Sequence, residues 1–394
     1  MNKKIALVTM QFPCSSETFA SNDVRKMIES GRDVSVFTLK RKSKDHEKML
    51  IERNLESVSI NEVSYRKILL DFFLSPENIF KYIYLLRYCL VELFRFNFIS
   101  FIKLTLLIPH SVYQYKRIVS YSPDVLHAFW GHFPSMILLL SKKYTPNIKT
   151  SIFLGAYDLS QKLYCSECGC KVSDFILTHS QGNKKRILDW LNVEQSRVEV
   201  AYRGVDIEKL NNNVISYEIK SNFITASRLI KSKRVDLVID AFFFMTKNND
   251  NTRLIIAGDG PERLSLEKKC RKLGIENLVD FVGHINQTTL FKLISESRAL
   301  FLLSQSDGER LPNIVKEAMY LNTCVIVSRS KDIEELVEDR ITGFIADDTI
   351  NAVKEFIAMD KNREAEMLLN ARNKIIRDFN LENSINTTFD FWDK

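Results

Sequence analysis

The chain has 394 residues, of which 45% are hydrophobic, and a formal net charge of +7. That length allows two or three domains with sizeable cores, and the slight basic excess does not by itself imply nucleic-acid binding. No apolar run approaches the ~18 residues that a membrane-spanning helix needs, and seven cysteines, an odd number, argue against a disulfide framework.

In chain order, Lys4–Met10 reads as a strand, followed by a loop, a helix from about Asn22 to Ser30 stopped by Gly31, and the strand Asp33–Leu39. The chain enters its first strand without a leader-like stretch, so a cytoplasmic location is expected. Between Asn61 and Ser120, eight basic residues (Arg66, Lys67, Lys81, Arg87, Arg95, Lys103, Lys116 and Arg117) face four acidic ones (Glu62, Asp71, Glu77 and Glu92), with phenylalanine and tyrosine interleaved. This composition suits domain core on one face and, on another, a helix lying on an anionic membrane, so peripheral contact at the inner face of a membrane is expected. Further strands are expected at Asp124–Phe129, Lys149–Leu154, Asp174–Ser180 and Val198–Tyr202. Cys165, Cys168 and Cys170 lack a fourth ligand before His179, so free thiols are expected there and no metal site.

After Arg203-Gly204-Val205-Asp206, a polar stretch with Asn211, Asn212 and Asn213 reads as a linker. The rhythm then restarts: strand Asn222–Arg228, helix Val235–Met245, strand Thr252–Gly258, helix Glu262–Lys272 and strand Val279–Val282. Helix Thr288–Ser297, strand Ala299–Ser304, a helix after Pro312 and strand Cys324–Ser328 complete it. Alternating strands and helices predict an α/β fold of two doubly wound, Rossmann-like domains facing across a cleft, over residues 1–206 and 207–375. Ligands of such sheets bind at the carboxyl ends of the strands.

A phosphorylated ligand at such strand ends requires its negative charge to be stabilised by a metal or by protein cations. No Asp-x-Asp metal triad stands in a suitable loop, whereas Arg228 ends a strand and Lys233 follows on a short loop before a helix. Arginine suits bidentate oxygen contacts and lysine a point charge. Gly258-Asp-Gly260 is a tight turn where backbone approaches closely. The stretch from Ser304 through Glu309, Leu311, Pro312 and Asn313 to Glu317 sets two carboxylates around a helix entrance whose free N–H groups and partial positive charge suit a phosphate.

Glu309-x7-Glu317, with Leu311-Pro312-Asn313 between and Ala318-Met319 after, resembles the Glu-x7-Glu signature of family-4 retaining glycosyltransferases, the GT-B enzymes of glycosyl transferases group 1. Thr323–Ser328, Glu334–Val337 and Thr342–Ile345 also follow that family's order. The likeness is strong over the C-terminal half and looser before it, where Phe12-Pro13-Cys-Ser-Ser16-Glu17-Thr18-Phe19 resembles the loop of exopolysaccharide-type members. Arg310 stands where that signature has Gly, Ser227 and Arg234 replace clamp glycines, and Gly155 stands where many relatives have a His three residues before Asp158.

The resemblance implies that Arg228 and Lys233 clamp the diphosphate and Glu317 takes the ribose hydroxyls. Glu309 with Leu311, Pro312 and Asn313 would hold the donor sugar, the Glu309 carboxylate favouring the positive charge that builds at the anomeric carbon; the base would sit near Gly283-His284-Ile285, and backbone at Gly258 and Gly260 would approach the donor. Ser16, Glu17, Thr18, His132 and Asp158 would border the acceptor; the alternative for the loop is that Ser16 or Thr18 caps the next helix. His127 and His132 are each open to a packing role, and Gly204 is expected to permit an unusual backbone angle at a hinge. A terminal segment, 376–394, would cross back to the first domain.

The implied activity is retaining, metal-independent transfer from a UDP- or GDP-sugar to a lipid-linked or glycan acceptor in bacterial surface polysaccharide synthesis, with no cofactor beyond the donor. The alternative, motivated by Gly155 and Arg310, is a catalytically weak nucleotide-sugar-binding scaffold of a polysaccharide assembly complex. An epimerase of similar fold ranks lower, because no pair of catalytic acids is evident.

Overall fold

The computed structural model describes residues 3–14, 17–212, 221–246, 252–305 and 310–394. They divide into two compact units, Met1–Arg203 with Ser384–Lys394, and Gly204–Asn383.

The first unit is built on seven parallel strands: β1 (Lys4–Thr9), β2 (Asp33–Thr38), β3 (Ser59–Asn61), β4 (Val125–Phe129), β5 (Lys149–Phe153), β6 (Phe175–Thr178) and β7 (Val198–Val200). Their order is β3-β2-β1-β4-β5-β6-β7, with Ile5 opposite both Val34 and Val125. The winding therefore reverses between β1 and β4. Every residue of β4 is buried, as is expected of a central strand covered on both faces. Helix Ser135–Tyr144 is buried from Ser135 to Ser141 on all sides, which its unbroken apolar sequence requires.

The aromatic-rich stretch forms helices Tyr65–Leu74, Ile79–Phe94 and Phe98–Tyr121, which bury one face and expose the other. Leu104, Leu107, Ile108, Ser111, Val112, Tyr115 and Ile118 are buried at helical spacing. Gln114 donates from Nε2 to the carbonyls of Thr38 and Asn61, at 2.7 and 2.6 Å, fastening the longest helix to the ends of β2 and β3. Residues 384–394 belong to this unit through Phe391, whose ring lies 5.0 Å from that of Phe175, and Trp392, which is buried and donates to Ser151 Oγ at 2.8 Å.

The second unit carries β8 (Asn222–Ala226), β9 (Leu254–Ala257), β10 (Val279–Gly283), β11 (Ser297–Leu302), β12 (Cys324–Ser328) and β13 (Phe344–Ala346). They are parallel in the order β10-β9-β8-β11-β12-β13, so the winding reverses between β8 and β11. Phe223 anchors the core, with the rings of Phe301 and Phe356 at 6.0 and 6.4 Å.

Several expectations shift. The first helix begins at Thr18, not Asn22, and the expected linker opens with a helix, Ile207–Asn211, capped by Asp206. Three-residue strands β3 and β13 are too short for periodicity to reveal. Gly204 does not adopt an unusual angle. It is required by proximity, since a Cβ there would lie 2.3 Å from the Leu381 nitrogen, where Val205 pairs with Asn380.

Candidate functional site

In the second unit the crevice expected at a winding reversal lies where β8 and β11 end side by side. The β8 exit loop is laced to its neighbour: Ser227 N–H donates to Ala257 and Leu229 N–H to Asp259, at 3.0 and 2.9 Å. Gly258 and Gly260 make this possible. Their φ angles are +132° and +158°, and a Cβ would lie 1.9 Å from the Ser227 carbonyl and 2.4 Å from that of Leu229. The close approach these glycines permit is thus to the loop that carries Arg228.

Arg228 is exposed and meets no carboxylate among the described residues. Lys233 closes a 3-10 turn, Lys231–Lys233, and is half-buried. Gln305 N–H donates to Ser232 O at 2.8 Å, so the loops leaving β8 and β11 are joined. Helix Asn313–Tyr320 follows; Leu311 is buried, and Pro312, at φ −65° and ψ 134°, immediately precedes the first helical residue instead of occupying it. Among the described residues no side chain caps this helix, leaving N–H donors at its entrance. Asn313 Oδ1 accepts from the buried Lys316.

Glu317 sits one turn in, half-buried, and burial pushes its carboxyl up to about 7 against the opposing effects of Lys316 and a hydrogen bond from Gln287. Gln287 opens the helix that follows β10 and His284, so the Gln287 contact ties Glu317 to that third loop. His284 itself is exposed. Glu309 lies outside the described residues, as does Ser16. Arg310 is only 6% exposed and donates to Asp332 Oδ2 at 2.7 Å, which makes it a buried tether for the loop after β11.

In the first unit the reversal lies between β1 and β4. Asp158, 2% exposed, accepts three hydrogen bonds: from Gly131 N–H at 3.0 Å, Gly155 N–H at 2.9 Å and His132 Nδ1 at 2.9 Å. A carboxylate only accepts, so this bond assigns the proton to His132 Nδ1 and leaves Nε2 as an acceptor in the neutral ring. Gly155 has no room for a side chain, because a Cβ would lie 2.2 Å from Trp130 Cζ3. Trp130 adopts φ +89° and donates from its indole to Glu17 Oε1 at 3.1 Å.

Glu17 is the residue before the first helix and takes no capping bond, while Thr18 is its exposed first residue, so the capping alternative is not realised at Thr18. The guanidinium of Arg203 stacks at 3.5 Å on Phe19, with Phe153 and Trp130 at 4.7 and 4.8 Å. Burial pushes Arg203 down to about 10 and Asp23 up to about 7, each opposed by the other's charge, and burial also raises Glu17.

His127 is a core residue. It is buried against Trp392, bonded to Ser151 Oγ at 3.0 Å, and driven by burial down to about 3, which removes it from the acceptor side. Burial likewise raises the thiols of Cys165 and Cys170, on a helix away from any cluster of metal ligands among the described residues. Sequence reasoning missed Trp130, Asp23 and Gln287. The only signal for Trp130 was its place between a buried strand and Gly131.

Comparison with known proteins was made on this framework. Residues 206–374 match the family described as Glycosyl transferases group 1. A Campylobacter jejuni alpha-1,4-N-acetyl-D-galactosaminyltransferase, whose substrate is an undecaprenol-diphosphate glycan, is 30% identical over 172 residues, 42% of this chain and 46% of that protein. The amylovoran biosynthesis glycosyltransferase AmsK of Erwinia amylovora is 22% identical over 410 residues, 96% of both chains. The chain spans about half the length of several curated relatives it matches, as with the Campylobacter enzyme. Among solved structures, Anabaena HepE in complex with UDP superposes with a TM-score of 0.69 at 15% identity, covering 98% of both chains. A Rickettsia africae glycosyltransferase gives 0.71 at 12%, covering 99% of this chain and 98% of that one. At these identities the likeness shows the fold, which is the expected GT-B class of two Rossmann-like sheets.

Proposed function

We propose that this chain, whose residues 206–374 match the glycosyl transferases group 1 family, is a glycosyltransferase that moves a sugar from a nucleoside-diphosphate donor to a lipid-linked or glycan acceptor in surface polysaccharide synthesis. The observation that carries this reading is the edge of the second sheet, where exposed Arg228, half-buried Lys233, a helix entrance that no described side chain caps and the half-buried Glu317 stand on loops hydrogen-bonded to one another. An anionic diphosphate matches the cations and the helix N–H groups, and a carboxylate suits vicinal ribose hydroxyls. Relatives that act on an undecaprenol-diphosphate glycan and in amylovoran synthesis, and a neighbour that binds UDP, support the substrate classes.

In this reading the donor is UDP- or GDP-linked, and Arg228 and Lys233 neutralise the departing diphosphate without a metal. Glu317 holds the ribose, and the base lies near Gly283, His284 and Ile285, with the Gly258–Gly260 turn bordering the donor. Leu311, Pro312 and Asn313, with Glu309 before them, hold the donor sugar. Front-side attack assisted by the leaving phosphate retains the anomeric configuration. On the acceptor side, Ser16, Glu17 and Thr18 border the incoming hydroxyl, and Asp158 fixes the tautomer and orientation of His132. The protein works in the cytoplasm, at the inner face of a membrane. A scaffold role remains the second reading, favoured by Trp130 filling the space beside Gly155.

The test is nucleotide release from a panel of UDP- and GDP-sugars with polyprenyl-diphosphate glycan acceptors, with and without chelator, followed by the anomeric configuration of the product. Turnover that survives chelation and collapses in Arg228→Ala and Glu317→Ala is expected. Wild-type turnover in both variants would overturn the assignment, and nucleotide binding with no transfer to any acceptor would favour the scaffold.

A further inference from the structure

The first unit contains a pocket of about 620 Å³ that the donor reading leaves unused. Met10 lines it after β1, Lys40 and Arg41 after β2, Lys103 and Leu106 from helix Phe98–Tyr121, and Phe133 beside β4. The ring of Phe133 lies 5.1 Å from that of His132, so the pocket adjoins the Asp158-bound imidazole. Lys40, Arg41 and Lys103 are exposed, and none meets a carboxylate among the described residues. Arg41 instead lies over the ring of Tyr65 at 4.1 Å. A hollow that combines apolar walls with three uncompensated cations matches an anion carrying a hydrocarbon chain.

Two lining residues, Tyr65 and Leu106, also belong to a much larger exposed apolar face. On helices Tyr65–Leu74, Ile79–Phe94 and Phe98–Tyr121, which pack on one another, and on the turn between the last two, Phe73, Phe80, Phe94, Phe96 and Ile99 are each more than two-thirds exposed, at 71, 71, 78, 82 and 68%. Monomeric proteins rarely leave so many large apolar side chains of neighbouring helices in water. From residue 61 to 106 the exposed charges are Arg66, Lys67, Arg87, Arg95 and Lys103 against Glu77 alone. No helix among the described residues is long and apolar enough to cross a membrane. Exposed aromatics flanked by basic residues on such helices are complementary to the surface of an anionic bilayer.

The geometry points to a membrane-fed acceptor site: the three helices rest on an anionic bilayer, and the pocket takes the phosphate head of a long-chain lipid phosphate whose hydrocarbon lies along the apolar face. This rests on the glycosyltransferase reading and assigns its acceptor to the lipid phosphates. Lys40, Arg41 and Lys103 hold the head, which places the first sugar beyond it on the side of His132.

Sedimentation of the full chain with three vesicle types tests this: phosphatidylcholine, the same with phosphatidylglycerol, and the latter with polyprenyl monophosphate. Binding is expected to rise at each step. Phe73→Ser/Phe94→Ser/Phe96→Ser should weaken binding to phosphatidylglycerol vesicles by about tenfold or more. Lys40→Glu/Arg41→Glu/Lys103→Glu should abolish the increment from polyprenyl phosphate, and competing inorganic phosphate should not. Thermal melts and UDP binding, both expected unchanged, verify that the variants fold. Equal binding to all three vesicle types, displacement of the lipid phosphate by inorganic phosphate, or a face variant that only converts a dimer to monomer would each overturn the proposal. Vesicle results as expected in a chain that never binds a nucleotide or nucleotide sugar would instead fail the glycosyltransferase reading.

Discussion

At the carboxyl edge of the first sheet the protein supplies partners for its own polar groups: Asp158 takes three donors, Trp130 bonds Glu17, and Arg203 is boxed by three aromatic rings. At the corresponding edge of the second sheet, among the described residues, Arg228 faces solvent without a carboxylate and a helix entrance goes uncapped. The two edges share a winding and differ in what is left unsatisfied. An internally satisfied edge holds an imidazole in one orientation, which suits hydroxyl chemistry. An edge with surplus positive potential suits an anion. The same fold thus supports two kinds of recognition, and the distinction resides in the loops after the strands.

The sharpest break of this contrast comes from the second edge. Arg228→Ala is expected to lower turnover by about 10²–10³-fold, as loss of one preorganised charge-stabilising donor does. Its melting temperature should barely move, because the side chain is exposed. Steady-state kinetics beside a thermal melt measures both, and a large loss of stability would mean that Arg228 is structural.

At the first edge the two losses should coincide. Asp158→Asn turns an acceptor toward three donors into a group that also donates, and about 1–3 kcal/mol of stability should go with it. Because His132 loses its fixed tautomer, kcat should fall by about 10²-fold. Urea unfolding and kcat are the measurements, and stability loss with unaltered kcat would confine Asp158 to structure.

Gly155→Ala isolates packing. The new methyl meets Trp130, and overpacking of this kind costs about 1–3 kcal/mol. Trp130→Gly removes the obstructing ring and relieves the strain of a positive φ, so Gly155→Ala should cost much less in that background than in the unaltered protein. A double-mutant cycle with no coupling would refute the steric account.

The smallest expected effect is a pH dependence. The Glu317 carboxyl, raised to about 7, stays protonated in the folded chain where the unfolded chain has already released its proton. Its contribution to stability therefore falls as pH rises from the ordinary carboxyl range through about 7. Donor affinity should move the opposite way, improving up to about tenfold from about pH 6 to about pH 8 as the carboxylate ionises. Glu317→Gln should flatten both profiles, and titration of UDP binding across this range in each protein decides it.

Much of the fold was legible because strands such as β9 and β12 are almost wholly apolar runs, separated by amphipathic helices with polar stops. The positions of Arg228, Lys233 and Glu317 beside a strand end or a helix start were legible, because local sequence fixes each. Trp130 was not, since its importance comes from a backbone angle and from a neighbour, Gly155, twenty-five residues on. Gly204 was misread for the same reason: its constraint is the segment at Asn380–Leu381.

From its residues alone, this chain was assignable to two parallel-sheet units with cationic and acidic groups at strand ends, because hydrophobic periodicity and turn chemistry act over a few neighbours. That His127 is core while His132 is held at an edge, that Arg310 is a tether to Asp332, and that the aromatic helices leave one face bare were decided only by tertiary packing. Burial and hydrogen-bond partnership depend on groups far apart in sequence, which local pattern does not encode.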